Sequence, residues 1–463
     1  MAARIALFGG SFNPPGLHHR RIVEALARRF DQVMVVPCGP RPDEVITNLL
    51  PPIFRAAMAD MTFSGVDKVE VDLFDLEQQT FTRSHELEKR YAAQGDVWHV
   101  VGVDIVKGGR YGDSEIHRTW AQGERLWKEA RFAVLTRPGH VFDRGDLPPN
   151  SVAIEVQVPG SSTEIREALQ HGNEVDHLLT PRTLAYIQRY GLYRAPTPGS
   201  WAHGSLSGLP YEVIADGRNQ KALEWEDRFN TSMHPQFITV LGGDGAMLRT
   251  IREHWRRRLP FYGVNAGHIG FLMNAAETVF EKPFPPEKVV FRQLPMLYVQ
   301  VETLNGEVHS SYGFNDAWME RDTSQSAWVQ VVINDKVRLK KLVGDGVLVA
   351  TAAGSTAYAR AMGATPLLAD TPAWLLVGSN VMEPLEWKSA LLSSDAEVDL
   401  VVLDPERRPL RAFVDGQDLG LVKRMSARLS HVAAVELMFD SDHDVAEKIA
   451  ELQFRHTGLS QVD

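Results

Sequence analysis

Cysteine is nearly missing from this chain. Cys38 is the only one in 463 residues, which excludes an internal disulfide and a cysteine-ligated zinc cluster. It follows an apolar, strand-like run, where a buried structural thiol is expected. Positive charge is in deficit too: 49 Lys and Arg against 59 Asp and Glu leave a net charge of −10. That balance argues against nucleic acid or an anionic membrane as a partner. An anionic nucleotide would have to be held by local basic groups, backbone N–H groups and metal ions. There is no apolar run of about 18 residues, and Met1 to Leu7 leads straight into a strand, so no membrane span or signal peptide is expected and a cytoplasmic location is. Two common nucleotide signatures are also missing, the G-x-x-x-x-G-K-[ST] phosphate loop and the G-x-G-x-x-G fingerprint.

What remains is a globular composition, 44% hydrophobic and 23% charged, in a chain long enough for about two or three domains. Residues 195–210 are rich in Pro, Gly and Ser without a period and read as a linker. Before it, over 1–194, apolar runs at Ile5 to Phe8, Val33 to Val36, Val97 to Val101 and Phe132 to Leu135 alternate with helix-like stretches, which predicts a parallel α/β sheet. After it, 211–288 is again α/β. Residues 289–440 are short alternating strands joined by turn signals such as Asn305-Gly306 and Asn334-Asp335, a sandwich-like pattern. Residues 441–463 read as a tail with a final helix.

Gly242-Gly243-Asp244-Gly245 is the most informative stretch. A buried strand, Phe237 to Leu241, precedes it, and Met247, Leu248, Ile251 and Trp255 follow at helical spacing. Strand, glycine turn and helix N-terminus together make an anion site. An ionised aspartate there would repel phosphate, so Asp244 must hold a metal, accept a proton from a hydroxyl, or cap the helix. Three features accompany it: Asn265 to Leu272 after a second strand (Phe261 to Val264), the pair Asn315-Asp316, and Gly344-Asp345 leading to Gly354-Ser355-Thr356-Ala357-Tyr358. Val414 to Gln417 lies near the end.

In this order and setting these motifs resemble the NAD kinase family, part of the larger group with diacylglycerol and sphingosine kinases, over about Tyr211 to Asp440. The resemblance implies ATP- or polyphosphate-dependent transfer, assisted by Mg²⁺ or another divalent cation, to the 2′-hydroxyl of the adenosine ribose of NAD. A ribose hydroxyl is a poor nucleophile, and a carboxylate beside it can take its proton as the phosphoryl group arrives. Asp244 is then the base, and Gly242, Gly243 and Gly245 let the backbone reach phosphates. Asn315 and Asp316 would hold the nicotinamide-side ribose. Asp345, Thr356, Ala357 and Tyr358 would line the dinucleotide site, with Phe271 beside it. The chain departs from the family pattern at Ala246, at Thr351 to Ser355 and at Ala361, losing hydroxyls worth about 0.5–1.5 kcal/mol each.

The first half repeats the local logic with different residues. Gly9-Gly10-Ser11-Phe12-Asn13 follows the first strand and precedes a helix starting near His18. Pro159 to Arg166 sets Ser162 and Thr163, either of which would cap a helix, before Arg166, a phosphate-pairing group. Asp104 follows another strand at the same sheet edge. These resemble the nicotinamide or nicotinate mononucleotide adenylyltransferases, over about Arg4 to Tyr193, with Arg137-Pro138-Gly139 fitting too. The resemblance implies that His19 and Arg166 serve catalysis and that Gly9, Gly10, Phe12, Asp104, Ser162 and Thr163 bind nucleotide. In the family's (H/T)-x-G-H element this chain keeps His19, but has Gly16 for the first residue and His18 at the glycine. Pro42-Asp43-Glu44 stands where a Pro-His-Lys is usual. Such a mechanism needs no protein base, only positioning and charge stabilisation.

The combined expectation is an α/β chain with a Rossmann-like nucleotidyltransferase domain, an NAD kinase-like α/β part and a β-sandwich. It would make NAD from ATP and a pyridine mononucleotide (NMN or NaMN), then phosphorylate it to NADP, as a homo-oligomer and with no metal ligand of its own assigned. The rival reading keeps the kinase and makes the first half a degenerate nucleotide sensor.

Overall fold

The computed structural model describes residues 2–41, 50–136, 143–157, 160–194, 199–267, 270–442 and 448–449. Pro42 to Glu44, Arg137 to Gly139, Pro159 and nearly all of the 441–463 tail lie outside the described residues. The chain divides into two compact units, Met1–Pro198 and Gly199–Asp463.

The first unit is built on six strands, β1 (Arg4–Gly10), β2 (Gln32–Pro37), β3 (Val69–Val71), β4 (Asp96–Gly102), β5 (Arg131–Thr136) and β6 (Ser151–Glu155). They run in the order β3-β2-β1-β4-β5-β6, and every pair is parallel. The four sequence-predicted strands fall inside β1, β2, β4 and β5, whose β-branched and apolar centres are buried between helices on both faces. The order reverses at β1, which pairs with β2 on one side and β4 on the other. Ligands bind at such a switch point, outside the carboxyl ends of the strands. Gly9 and Gly10 end β1 there, and Gly102 ends β4.

The second unit holds the strands β7 (Trp201–Gly204), β8 (Tyr211–Ala215), β9 (Phe237–Gly242), β10 (Phe261–Asn265), β11 (Val289–Thr303), β12 (Val308–Gly313), β13 (Asp316–Arg321) and β14 (Ala327–Ile333). They continue as β15 (Lys336–Gly344), β16 (Gly346–Ala350), β17 (Ala373–Ser379), β18 (Ser389–Ser393), β19 (Glu397–Val402), β20 (Leu410–Val414) and β21 (Gln417–Asp440). β8, β9 and β10 form a parallel trio. The remainder is antiparallel, apart from one parallel join between β10 and the 24-residue β21. Alternate residues of β11, β13, β14, β16, β17, β19, β20 and β21 face one common apolar core, among them Val299, Met319, Val331, Trp374 and Leu400. The turns behave as their sequences require. Gly306 takes φ +83°, and Asn334 and Asp335 take φ 50° and 59°, as a two-residue hairpin turn demands.

Two boundaries differ from expectation. The predicted linker 195–210 shortens at its far end, because Trp201–Gly204 is a strand paired with β11 and Leu206 is buried in the core. The α/β and β parts predicted to meet at 288/289 share a single hydrogen-bonded sheet, because β21 is long enough to pair with β10 at one end and β20 at the other.

Candidate functional site

In the second unit the six residues of β9 are all buried, and the strand ends at Gly242. The helix Asp244–His254 starts two residues on, with Gly243 in the cap position and Met247 and Ile251 on its buried face. Asp244 does not cap this helix. Its carboxylate accepts hydrogen bonds from the backbone N–H of Phe271 at 2.9 Å and of Leu272 at 3.0 Å. A Cβ at Gly270 would lie 3.3 Å from the Asp244 Oδ1 and 2.9 Å from the Met273 Cγ, so the chain there passes as close as a glycine allows. Burial pushes the Asp244 carboxyl above the ordinary carboxylate value, while the Phe271 and Leu272 N–H groups and the Lys448 ammonium pull it back. The result is a carboxylate oriented by backbone donors, with a proton affinity above that of an ordinary carboxylate.

Asn315 and Asp316 are fixed by a residue to which sequence reasoning assigned no role. Asp415 sits in the β20–β21 turn at φ 45°, and its carboxylate accepts from the N–H groups of Phe314, Asn315 and Asp316 at 2.6, 2.9 and 3.1 Å. Asp316 is buried, and burial together with the Asp415 charge pushes its pKa up to about 7. The Asn315 Oδ1 is buried with no hydrogen-bond partner, a cost native folds seldom leave unmet except where a ligand meets it. The Thr351 hydroxyl donates to the Phe314 carbonyl at 2.7 Å and accepts from the Gly354 N–H at 3.0 Å. A Cβ on Gly354 would lie 2.1 Å from the Asn315 carbonyl oxygen, so this turn packs directly on the pair.

One apolar cluster ties these pieces together. Ala246 and Met247 from the Asp244 helix, Leu272 and Met273 beside its anchoring loop, Phe314 before the Asn-Asp pair and Ala353 from the Thr351 turn pack in the same core. Phe271, Thr356 and Ala357 are half-buried beside it, and Tyr358 is exposed, its ring 5.4 Å from Trp318. Gly243 and Gly245 flank Asp244 at the helix start. Asp345 is not brought to this cluster within one chain. It precedes β16, whose far end, Ala350, is the residue paired with Asp316, about 15 Å along the strand. There Asp345 binds Arg321 and Asn380, each at 2.7 Å, and those donors hold its carboxyl below the usual range.

In the first unit the carbonyls around the glycine turn are taken by donors. Arg55, on the helix Pro52–Phe63, is buried and donates from Nε to the Ser11 carbonyl at 3.0 Å and from Nη2 to the Cys38 carbonyl at 2.7 Å. Arg166 donates to the Asn13 carbonyl at 2.6 Å and to the Thr163 hydroxyl at 3.2 Å. Neither guanidinium is bonded to a carboxylate among the described residues, so two positive charges sit directly behind the turn. Burial lowers the Arg55 pKa from its usual value, yet a guanidinium keeps its charge at neutral pH.

The Gly16 N–H donates to the His19 Nδ1 at 3.2 Å, which leaves the proton of a neutral imidazole on Nε2. Burial first, then the neighbouring His18, holds His19 well below its usual pKa. Phe12, at φ 44°, is buried and sits edge-on to the His19 ring at 4.9 Å, so it packs the histidine and does not offer a face to ligand. The helix cap expected at Ser162 or Thr163 is Ser161, which accepts from the Glu164 N–H. Ser162 donates instead to the Pro14 carbonyl. Asp104 is exposed in the short helix after β4. At the switch point lies a cavity of about 520 Å³, with Gly9, Gly10, Cys38, Phe81, His99 and Trp120 among its walls. The His99 Nε2 on this wall is buried and unpartnered.

Among the described residues no group of three or more His, Cys, Asp or Glu is placed to hold a metal ion. No helix among the described residues is long and apolar enough to cross a membrane.

Comparison with known proteins separates the halves in the same way. The cytidylyltransferase-like family profile matches residues 7–168, and the ATP-NAD kinase N-terminal domain profile matches residues 195–283. The NAD kinase of Hyphomonas neptunium is 34% identical over 220 residues, 47% of this chain and 85% of that protein. That of Mesorhizobium japonicum is 36% identical over 221 residues, again 47% and 85%, and that of Xylella fastidiosa is 35% identical over 218 residues, 47% and 83%. The crystal structure of yeast NADH kinase complexed with NADH aligns with 56% of this chain and 91% of its own, at 14% identity and a TM-score of 0.44.

Proposed function

Since the chain belongs to the NAD kinase family through its second half, we propose that this half transfers the γ-phosphoryl group of ATP to the 2′-hydroxyl of the adenosine ribose of NAD. The supporting observation is the Asp244 carboxylate, held by two backbone N–H groups at a glycine turn and packed through one core with the Asn315-Asp316 pair. The 2′-oxygen attacks the γ-phosphorus, the bond from that phosphorus to the β-phosphate oxygen breaks, ADP leaves, and the hydroxyl proton ends on Asp244. Gly242 and Gly243 let backbone N–H groups approach the phosphates. Asn315, through its unpartnered Oδ1, and Asp316 accept from the other ribose's hydroxyls. Thr356, Ala357, Tyr358 and Phe271 border the dinucleotide. The divalent cation belongs to the ATP complex and enters as part of that substrate.

For the first half the reading is adenylyl transfer from ATP to a pyridine mononucleotide. A mononucleotide phosphate oxygen attacks the α-phosphorus, the α–β bridging bond breaks, and pyrophosphate leaves without a protein base. What supports it is the pair of guanidiniums behind the turn with no carboxylate bonded to them, beside a neutral His19 able to donate from Nε2. The cavity has the size of a nucleotide-fragment site, and the His99 nitrogen is a polar group available within it. NMN as substrate gives NAD at once, whereas NaMN gives the deamido form, which must be amidated before the second half can use it. The sensor reading draws on Gly16 and His18, which replace the usual pattern.

The test is direct. The purified chain is incubated with ATP and Mg²⁺ plus NMN, NaMN or NAD, and the nucleotides are separated. NADP from NAD supports the kinase reading, and dinucleotide with pyrophosphate from either mononucleotide supports the transferase. NADP formation with neither dinucleotide product would leave the first half a sensor.

A further inference from the structure

The loop that orients Asp244 is itself held by a side chain from the far end of the chain. The Lys448 ammonium donates to the Gly270 carbonyl at 3.0 Å and to the Met273 carbonyl at 3.1 Å. Between those two carbonyls lie Phe271 and Leu272, whose N–H groups bind the Asp244 carboxylate. The loop is thus held at both ends by one cation, with its two central N–H groups turned to the base. Gly270 leaves little slack, since even a Cβ there would press on Met273 and approach Asp244. Lys448 comes from a segment more than 170 residues downstream of this loop.

We propose that Lys448 is a positioning residue for phosphoryl transfer: by clamping the Gly270 and Met273 carbonyls it fixes the two N–H groups that aim Asp244 at the ribose hydroxyl. This inference rests on the reading of Asp244 as the base. Its charge has a second consequence. Lys448 is the charged group acting on Asp244, and it favours the ionised carboxylate; the loop residues Gly270 to Met273 that pack on Asp244 bring no charge of their own. Removing the ammonium therefore raises the pH at which Asp244 ionises.

The test compares Lys448→Met and Lys448→Arg in the full chain, with NAD as substrate. In Lys448→Met, kcat for NADP formation should fall about 10- to 100-fold, the scale of losing alignment of a reacting group. KM for NAD should change much less than kcat, because the clamp bonds only the Gly270 and Met273 carbonyls and leaves Asn315, Asp316, Thr356, Ala357 and Tyr358 untouched. The acid limb of the kcat profile should move to higher pH, and Lys448→Arg should recover most of the rate and the original limb. Thermal unfolding of each variant identifies a simple loss of structure. A Lys448→Met protein that melts early is replaced by Lys448→Gln, for which the same split between kcat and KM is expected. Unchanged kcat and pH profile in a folded neutral variant overturn the inference. So does a rise in KM with kcat preserved, or an arginine variant as impaired as the methionine one. If the unmodified chain forms no NADP, the base reading itself fails and the inference falls with it. Normal NADP formation by the unmodified chain beside an unaffected Lys448→Met variant overturns the inference alone.

Discussion

In the first unit the turn after β1 has its carbonyls at Ser11 and Asn13 taken by Arg55 and Arg166. In the second, the turn after β9 carries a carboxylate that takes N–H groups from Phe271 and Leu272. The frame is the same in both: a buried parallel strand, glycines, then a helix of eleven residues. The anchoring groups run in opposite directions. Where cations hold the loop from behind, the site can receive an anion and has no group to take a proton. Where backbone donors hold an acid, the site can take a proton and must obtain its positive charge from elsewhere. Strand, turn and helix therefore decide where chemistry happens, and the sign of the residues anchoring the turn decides which chemistry it is.

Asp244→Asn puts the largest strain on this contrast. The amide keeps the shape but cannot accept the proton, so NADP formation should fall by roughly 10²–10⁴-fold. Dinucleotide formation from a mononucleotide should be unchanged. A variant that still makes NADP at a near-normal rate removes the second site's claim to base catalysis and erases the distinction drawn above.

The reciprocal experiment acts on the first unit. His19→Ala or Arg166→Ala takes away a donor or a cation at the phosphate site, and adenylyl transfer should drop by about 10²–10³-fold. NADP formation from supplied NAD should remain as it was. If both activities decline together in a protein that melts normally, the two units are not chemically independent.

Acidity offers a finer comparison. Asp316 has its pKa raised to about 7 by burial and by Asp415, and in the role proposed for it the ionised carboxylate accepts ribose hydroxyls more strongly than the protonated acid. Below that pH it is protonated and binds less well, so KM for NAD should fall as pH rises. A single proton with that pKa gives about a ten-fold fall between about pH 6 and pH 8. Asp316→Asn should flatten the curve. Burial and His18 hold the His19 pKa well below its usual value, so KM for ATP in adenylyl transfer should depend on pH more weakly than KM for NAD does. Parallel profiles for the two activities would contradict the assignment.

How much of this was legible in the sequence follows from how far each contact reaches along the chain. The strand, turn and helix around Gly242 to Ile251 are local, and buried apolar residues at strand and helix spacing reveal them without a structure. The same holds for Gly9 to Leu26. Arg55, Asp415 and Lys448 act across about 40, 100 and 175 residues. Nothing near Arg55 or Lys448 in sequence marks a role, and Val414 to Gln417, which counts toward the family resemblance, does not by itself show that Asp415 anchors the Asn315-Asp316 pair. The cap at Ser161 was missed by one residue among three consecutive hydroxyls, where only φ and ψ separate the candidates. Trp201–Gly204 was hidden by its Pro- and Gly-rich flanks, since a four-residue strand is specified by its partner β11 more than by its own pattern.

The smallest expected effect tests whether the first unit's departures from its family pattern are damage or exchange. Gly16 has φ −117° and ψ −179°, an extended conformation open to any residue, so the glycine is not there for its backbone freedom. It is there for space: a Cβ would lie 2.7 Å from the His18 Nδ1 and 2.8 Å from the Ile165 Cδ1. His18 is buried against His19, with ring centroids 3.9 Å apart. A larger residue at 18 and none at 16 are thus two halves of one volume, and the pair should behave as a unit. Gly16→Ala alone should cost about 1–3 kcal/mol by overpacking, seen as a fall of roughly 2–12 °C in the melting of a unit this size. In the background of His18→Ala the same substitution should cost much less, with a coupling of about 0.5–3 kcal/mol between the sites. Additive shifts would mean that Gly16 and His18 changed independently, and the loss of the usual first residue of that element would then stand as an uncompensated defect of the first site.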